Sequence, residues 1–294
     1  MFPVAMGLRE TRKLGVVLVC WIGVCWIGAN CIAVVLIDLC DSWTLEAEYG
    51  VPAHVIRSFE CRTTEVSVCG AARPVALWYR YRPPPSSAKP QTVPLVVFLH
   101  GSGECGSDNV RQLRYLPAVL CEDAMQRLHP CAILAPQCPK PGGWAQRLDA
   151  EIDLLDGVLR MIDDVLADPR IDPRRIYLIG LSMGGYGAWE LAMRAPERFA
   201  AVVPICGGGD QNRAASLRHV RLWAVHGADD TVVPVSESRK MIAAVESAGG
   251  KPRYLELQGV GHDCWAGVFR EKSDVLAWMF QQTRNSASMG IGSS

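Results

Sequence analysis

The fold is decided by the stretch Ile176-Tyr177-Leu178-Ile179-Gly180-Leu181-Ser182-Met183-Gly184-Gly185-Tyr186-Gly187. It contains Gly-x-Ser-x-Gly between a run typical of a buried strand and a segment that can open a helix. A turn this tight strains the backbone of its central residue, and Gly180 and Gly184 leave room for neighbouring backbone. The stretch therefore predicts that Ser182 projects from a sheet at a helix N-terminus, with an exposed hydroxyl.

Short apolar runs and longer helical segments alternate on both sides of this turn. Strands are predicted at 95–99, 132–135, 176–179, 201–205, 222–225 and 254–257, and helices at 116–128, 148–166, 183–194, 235–248 and 273–282. Strands that alternate with helices predict an α/β fold with a mostly parallel, doubly wound sheet. Residues 66–81 predict two further, antiparallel strands joined by a turn at 70–74.

A serine hydroxyl needs a base to take its proton, and the sequence offers a histidine in a suitable place. His262 lies in Gly259-Val260-Gly261-His262-Asp263, directly after the last predicted strand, where a loop can bring its imidazole over the turn at Ser182. His226 follows another strand directly, and a structural role in that turn is favoured for it. His262 is therefore the predicted base.

The base in turn needs a carboxylate that orients it and stabilises the imidazolium. The segment Ala224-Val225-His226-Gly227-Ala228-Asp229-Asp230-Thr231-Val232-Val233-Pro234 places two aspartates just beyond a strand. Spacing alone does not separate Asp229 from Asp230. The chain order of nucleophile, acid and base is the one found around a nucleophile elbow.

A tetrahedral intermediate also requires hydrogen-bond donors for its oxyanion. His100-Gly101-Ser102-Gly103-Glu104 follows the strand at 95–99, and its glycines allow backbone N–H groups to point into the site. The predicted donors are the amide of Met183 and that of Ser102 or Gly103. The loop lacks the spacing of a phosphate-binding loop.

Together these motifs resemble the α/β-hydrolases, specifically the serine esterases grouped around polyhydroxybutyrate depolymerases, feruloyl and acetylxylan esterases, dienelactone-hydrolase-like proteins and the prolyl oligopeptidase-like catalytic domain. The resemblance covers roughly residues 66–283 and rests also on Ala135-Pro136-Gln137-Cys138-Pro139. In these families the acid is the aspartate of Asp-x-Val-Val-Pro, so the resemblance assigns this role to Asp230. It implies hydrolysis of carboxylic esters through an acyl-enzyme, with no metal and no organic cofactor.

The expected substrate is a small-molecule or polymeric ester, for which Trp144 and Trp265 are predicted to form an aromatic wall. Dienelactone hydrolases proper use a cysteine nucleophile, so the serine at position 182 favours an esterase. A serine peptidase of prolyl oligopeptidase-like type is the alternative activity. A membrane-tethered scaffold that kept the fold without catalysis is the alternative from another class.

The N-terminal part of the chain carries a long apolar run at 14–37, long enough to cross a bilayer as a helix. Basic residues precede the run and acidic residues follow it, which predicts a cytoplasmic N-terminus. The expected organisation is a cytoplasmic tail (1–13), a transmembrane signal anchor or cleaved signal peptide (14–37), a tether (38–65), a catalytic domain outside the cytoplasm (66–283) and a disordered tail (284–294).

Composition excludes several classes of protein. Lys+Arg and Asp+Glu number 30 each among 294 residues, which argues against nucleic-acid binding, and 49% hydrophobic residues exclude a disordered chain. None of the 12 cysteines has zinc-site spacing. Mostly free, buried thiols are expected, with a Cys61–Cys69 bridge as the alternative in the predicted hairpin.

Overall fold

The computed structural model describes residues 44–66, 75–85, 92–145 and 154–284, and an eight-stranded sheet runs through them. Its strands are β1 (Glu60–Val66), β2 (Val75–Arg82), β3 (Val93–Leu99), β4 (Ala132–Pro136), β5 (Ile171–Leu181), β6 (Ala201–Ile205), β7 (Trp223–Gly227) and β8 (Arg253–Leu257). The spatial order is β1-β2-β4-β3-β5-β6-β7-β8, and only the β1–β2 and β2–β4 pairs are antiparallel. The predicted mostly parallel α/β sheet is confirmed.

Helices cover both faces of this sheet. They are α1 (Ala53–Arg57), α2 (Leu116–Cys121), α3 (Asp123–Leu128), α4 (Leu154–Leu166), α5 (Met183–Arg194), α6 (Ser236–Ser247), α7 (Trp265–Val268) and α8 (Asp274–Phe280). Successive residues of β3 enter opposite core clusters: Leu95, Val97 and Leu99 pack with α4, α5 and α6, whereas Val96 and Phe98 pack with α2 and α8. Burial on both faces explains why the central strands are continuous apolar runs.

The predicted tether at 38–65 is wrong for its described part. Residues 44–49 are helical, α1 follows, and β1 begins at Glu60 and pairs with β2. Val51, Val55 and Phe59 are buried in the core cluster beneath α2. Val55 lies on α1, and Val51 and Phe59 lie on either side of this helix. Because all three are buried, this part of the chain belongs to the folded domain.

The single helix predicted at 116–128 is also wrong, because the structure divides it into α2 and α3 at Glu122. The Glu122 backbone is extended (φ −59°, ψ 140°). The side-chain amide of Gln126 donates to the Leu120 carbonyl at 2.7 Å, which gives a partner to one of the carbonyl groups left free at the end of α2. The break therefore has a local polar cap although no glycine or proline marks it.

The predicted N-terminal tail (1–13), membrane segment (14–37), hairpin turn (70–74) and most of the C-terminal tail lie outside the described residues, as does Cys69. None of the helices that the structure describes is long and apolar enough to cross a membrane. The seven cysteines in the described residues are free thiols, and all except Cys61 are buried.

Candidate active site

Ser182 lies between β5 and α5, at the C-terminal edge of the parallel strands. Its backbone is in a strained conformation (φ 53°, ψ −118°) that residues with a Cβ rarely adopt. A Cβ at Gly180 would collide with the carbonyl oxygen of Gly184, and one at Gly184 would collide with that of Leu99. The sequence therefore needs glycine on both sides of the turn, as predicted, and the turn lifts the Ser182 hydroxyl out of the sheet.

The loop after β8 carries His262 to this hydroxyl. His262 Nε2 lies 2.9 Å from Ser182 Oγ, and His262 Nδ1 lies 2.7 Å from Asp230 Oδ2. Because a carboxylate only accepts hydrogen bonds, Nδ1 carries the hydrogen and Nε2 is free to accept the serine proton. The three predicted residues thus form one continuous hydrogen-bonded chain whose geometry permits proton transfer from the serine.

Asp230, rather than Asp229, occupies the acid position. Its side chain is fully buried, and its Oδ1 accepts hydrogen bonds from the N–H groups of Val232 and Val233 at 2.8 and 2.9 Å. Burial raises the pKa of this carboxyl, but the hydrogen bonds from His262, Val233 and Val232 outweigh burial and hold the pKa below its ordinary value. Asp230 is therefore held as an anion against His262.

His226 lies on the other side of the same carboxylate and is fully buried. Its Nε2 lies 3.0 Å from the carbonyl oxygen of Val233 and 3.2 Å from Asp230 Oδ2. Both neighbours are acceptors, so the hydrogen-bond network assigns the hydrogen to Nε2. Its Nδ1 lies 2.8 Å from Ser238 Oγ, whose single hydrogen can be donated either to this nitrogen or to the Gly207 carbonyl oxygen, which also lies 2.8 Å away. Both nitrogens are occupied by protein groups, as expected for a structural histidine.

The glycine-containing loop after β3 forms the opposite wall of the site. Residues Ser102–Glu104 form a 3₁₀ helix, so the N–H groups of Ser102 and Gly103 have no acceptor inside it. Met183 is the first residue of α5, and its N–H group is likewise without an acceptor inside that helix. The predicted donors are thus backbone N–H groups at the beginnings of two helices. The two segments are close together, because a Cβ on Gly101 would lie 3.7 Å from Ser182 Cβ.

Two buried side chains, which sequence reasoning did not assign a role, hold this loop. His100 Nδ1 lies 2.7 Å from the Gly101 carbonyl and its Nε2 accepts from the Cys138 N–H at 2.9 Å. Burial lowers the pKa of His100 to about 4, so the ring is neutral near pH 7. Gln137 donates to the carbonyl oxygen of Glu104 at 3.0 Å. The segment after β4 therefore positions the loop.

A buried carboxylate, that of Glu104, lies within the loop itself. Burial raises the pKa of this carboxyl above its ordinary value. The charge of Arg114, 4.0 Å away, and a hydrogen bond from the backbone of Gly101 lower the pKa but do not cancel the effect of burial. Arg114 also donates from Nε to the Tyr49 carbonyl at 2.9 Å. In the sequence, the only signal for this glutamate is its position directly after Gly101 and Gly103 of the loop.

The first predicted tryptophan, Trp144, is largely a structural residue. It is 2% exposed, its Nε1 donates to the His100 carbonyl at 3.0 Å, and its ring packs edge-on against the His100 ring. It also forms part of a cavity of about 360 Å³ that reaches Met183, the residue after Ser182, and is lined by Gly142, Gly143, Trp144, Ala145, Met183 and Tyr186. Trp144 thus supports the floor of this cavity more than it offers an open aromatic face.

The second predicted tryptophan, Trp265, begins α7 beside the base. Its ring packs edge-on against the His262 ring with centroids 5.4 Å apart, and against the Tyr115 ring at 5.7 Å. Tyr115 is 38% exposed and has a positive φ of 60°. Sequence reasoning missed Tyr115, since nothing in its neighbours signals a strained backbone. These two rings form the accessible aromatic surface near the base.

One group of metal-ligating side chains occurs among the described residues, and it overlaps the site: Cys206, Asp230 and His262 offer ligand atoms within 4.8 Å of one another. These atoms already bond within the protein, because His262 Nδ1 donates to Asp230 and Cys206 Sγ donates to the His262 carbonyl at 3.1 Å. A metal ligated by these atoms would break those hydrogen bonds.

A family model described as alpha/beta hydrolase family matches residues 96–287, which is more than half of the chain. The chain belongs to the α/β-hydrolase family. The predicted resemblance is confirmed. The matched residues include Ser182, Asp230, His262 and the loop after β3.

This hydrolase is similar to proteins named as esterases and depolymerases. A Nocardia uniformis protein named as the esterase NocK is 31% identical over 49% of this chain and 40% of its own length. The poly(3-hydroxyoctanoate) depolymerase of Pseudomonas fluorescens is 29% identical over 51% of this chain and 59% of its own. The chain spans about half the length of these relatives.

A crystal structure of a thermostable esterase is similar to this hydrolase with a TM-score of 0.69 and 35% identity. The likeness covers 78% of this chain and 64% of the esterase chain. The two proteins therefore share their fold over most of this chain.

Proposed function

We propose that this hydrolase cleaves carboxylic esters through an acyl-enzyme, with Ser182 as nucleophile, His262 as base and Asp230 as the residue that orients the base. The observation that carries the proposal is the hydrogen-bonded chain from Ser182 through His262 to Asp230, with links of 2.9 and 2.7 Å. The names of the relatives favour esters as the substrate class.

In the proposed reaction, Ser182 Oγ attacks the ester carbonyl while His262 Nε2 takes its proton. His262 then gives that proton to the oxygen of the leaving alcohol, and the carbonyl reforms as an acyl-serine. Water enters, His262 removes one of its protons, and the acid is released as Ser182 regains its hydrogen. Asp230 stays ionised throughout and stabilises the imidazolium.

The oxyanion is proposed to form between backbone N–H groups at the beginnings of two helices. The N–H of Met183 and that of Ser102 or Gly103 are directed by helices that leave these groups without internal acceptors. Loss of one such donor typically reduces the rate by roughly 10² to 10³. No side chain has to move to supply them, so the stabilisation is available as soon as the ester binds.

The substrate is proposed to occupy two regions beside Ser182. Trp265 would contact an apolar or aromatic group on the histidine side, while Trp144 would support the floor of the cavity under Met183 and Tyr186. A small-molecule or polymeric ester fits this open arrangement. No metal or organic cofactor takes part in the proposed steps.

The test is hydrolysis of short p-nitrophenyl esters by the full chain, compared with the variants Ser182→Ala and Ser216→Ala. Ser216 is an exposed serine on the 3₁₀ helix Gln211–Leu217 and serves as the matched control. We expect activity in the parent and in Ser216→Ala, and none above background in Ser182→Ala. Equal rates in all three proteins would refute Ser182 as nucleophile.

A fluorophosphonate probe and a substrate panel separate the alternatives. A catalytic serine should be labelled, whereas a scaffold without catalysis should not be. The panel contains acetyl, feruloyl, hydroxybutyrate and peptide substrates. Faster turnover of peptides than of every ester would replace the esterase proposal with a serine peptidase.

We also propose that residues 14–37 anchor the chain in a membrane, with the catalytic domain outside the cytoplasm. The proposal is supported by the apolar run and by the basic residues Arg9, Arg12 and Lys13 before it. Full-length chain should stay with membranes through an alkaline wash and be accessible to protease from outside. Recovery of a shortened, freely secreted chain would instead identify a cleaved signal peptide.

A further inference from the structure

Two buried cysteines meet directly beneath the catalytic histidine. Cys206 follows the last residue of β6, and Cys264 lies two residues after His262. Their Sγ atoms are 3.2 Å apart, although 58 positions separate them in the chain. Both are essentially inaccessible to solvent. The fold thus brings two thiols from distant parts of the sequence into direct contact at the edge of the site.

The surroundings hold this pair in place. Cys206 has a positive φ of 45°, which a residue with a Cβ adopts only where neighbouring structure enforces it. Its N–H donates to the Val225 carbonyl at 2.9 Å, and its Sγ lies 3.1 Å from the His262 carbonyl oxygen. The strained backbone therefore directs the thiol at the loop that carries His262 and at Cys264.

We propose that Cys206 and Cys264 are the two halves of a disulfide that joins the loop of His262 to the C-terminal end of β6. Two S–H bonds break and one S–S bond forms. The two electrons and two protons pass to a disulfide donor such as oxidised glutathione, which becomes two thiols. The cross-link would fasten the base to the same sheet edge that carries Ser182.

The bond has to form before folding buries the thiols. Contact with Cys264, burial and the nearby Asp230 carboxylate all raise the pKa of Cys206. Since the thiolate is the species that undergoes exchange, the reduced pair is inert once folded. The redox conditions during synthesis therefore decide whether the cross-link is present.

The test is cell-free synthesis of the full chain in detergent, once with a glutathione redox buffer and once with dithiothreitol. Free thiols are alkylated after denaturation, and the chain is digested with trypsin. Cleavage at Arg198, Arg213, Arg253 and Arg270 places Cys206 in peptide 199–213 and Cys264 in peptide 254–270. We expect these two peptides joined in the oxidised sample and separately alkylated in the reduced one. Recovery of both as alkylated peptides from the oxidised sample, or of either joined to another cysteine, would overturn the proposal.

A second measurement compares the oxidised and reduced forms of each variant by thermal unfolding. Because the cross-link would close the long chain segment between Cys206 and Cys264, we expect it to raise the Tm by on the order of 5–10 °C. The difference should vanish in Cys264→Ala and remain in Cys131→Ala, a buried cysteine beside Gln126. Comparing the two forms of one variant cancels any loss of stability from the substitution itself. An undiminished difference in Cys264→Ala would contradict the assignment, and neither readout depends on esterase activity.

Discussion

The loop after β8 and the end of β7 each bring an imidazole to the same oxygen of Asp230. His262 Nδ1 approaches Oδ2 to 2.7 Å and His226 Nε2 approaches it to 3.2 Å. The His262 side chain is 20% exposed, whereas that of His226 is fully buried. The other nitrogen of His262 lies beside the Ser182 hydroxyl, the proposed nucleophile, whereas that of His226 lies beside the Ser238 hydroxyl. Two side chains of the same type thus differ in the group that contacts the nitrogen facing away from Asp230.

His100, at the end of β3, extends the comparison. Like His226, it has both nitrogens occupied, by the Gly101 carbonyl and the Cys138 N–H. A histidine whose two nitrogens are held by the protein keeps one tautomer and fixes the chain segments that it joins. A histidine with one nitrogen facing a hydroxyl can exchange a proton. The three rings at this edge of the sheet therefore divide into one proposed base and two structural residues.

Removal of the proposed base should give the largest effect. We expect His262→Ala to reduce kcat/KM on p-nitrophenyl esters by on the order of 10⁵-fold, because nothing then takes the Ser182 proton. The partly exposed ring should make the loss of stability small. His219→Ala, at an exposed histidine, is the matched control and should retain full activity. A loss of less than tenfold in His262→Ala would show that the base lies elsewhere.

The acid should have the next largest effect. Asp230→Asn keeps the shape of the side chain and an acceptor for the Val232 and Val233 N–H groups, but its amide can donate to His262 Nδ1 and favour the wrong tautomer. We expect kcat to fall by on the order of 10⁴-fold. Steady-state kinetics measure this, with Asp229→Asn as the control at the exposed neighbouring carboxylate. Greater damage from Asp229→Asn would exchange the two assignments.

The neutral, buried state of His100 predicts a pH dependence of stability. Its folded pKa of about 4 lies below the ordinary value of 6.5, so the unfolded chain binds the proton first as pH falls. The contribution of His100 is complete above pH 6.5 and is lost between pH 6.5 and 4, a change of about 3 kcal/mol in the free energy of unfolding.

Denaturant unfolding at a series of pH values measures this contribution. His100→Gln retains a donor and an acceptor but does not titrate, so its free energy of unfolding should fall less steeply between pH 6.5 and 4. His219→Gln removes an exposed imidazole and should follow the parent. Parallel curves for His100→Gln and the parent would rule out the linkage.

Much of the fold and of the site was predictable from apolar runs, glycine-marked turns and the polar residues that follow strand ends. The bounds predicted for β6 and α5 agree with the structure, because an uninterrupted apolar run and a glycine-marked turn define them. Ser182, Asp230 and His262 follow strand ends, which parallel packing brings to one edge. β1 was predicted only in part: an antiparallel pair was expected within 66–81, but the first strand of that pair lies at Glu60–Val66, where most exposed positions are polar or charged.

The partners of the site residues could not be predicted by the same route. The pairing of His100 with Cys138, or of Gln137 with the Glu104 carbonyl, joins segments more than 30 residues apart. Neither pair has a spacing that periodicity can reveal. Tyr115 contacts Trp265 and has a positive φ, and no glycine or asparagine at that position signals this backbone conformation. Tertiary packing determines these contacts, so they appear only in the folded chain.

The smallest expected effect concerns His226. His226→Phe keeps a ring but removes the donor that faces the Val233 carbonyl and Asp230 Oδ2, whereas His226→Gln can keep a donor there. We expect His226→Phe to reduce kcat by about tenfold, because the Asp230 carboxylate loses a donor beside it, and His226→Gln to lose less; a tenfold loss corresponds to about 1.4 kcal/mol in the barrier. Ser238→Ala, which removes the partner of the other nitrogen, should give an intermediate loss. If Phe and Gln behave alike, the ring of His226 only fills space. If His226→Gln preserves kcat and His226→Phe does not, the donor of His226 acts on the Asp230 carboxylate. His226 and His262 would then both contact this carboxylate, and they would differ because only His262 transfers a proton.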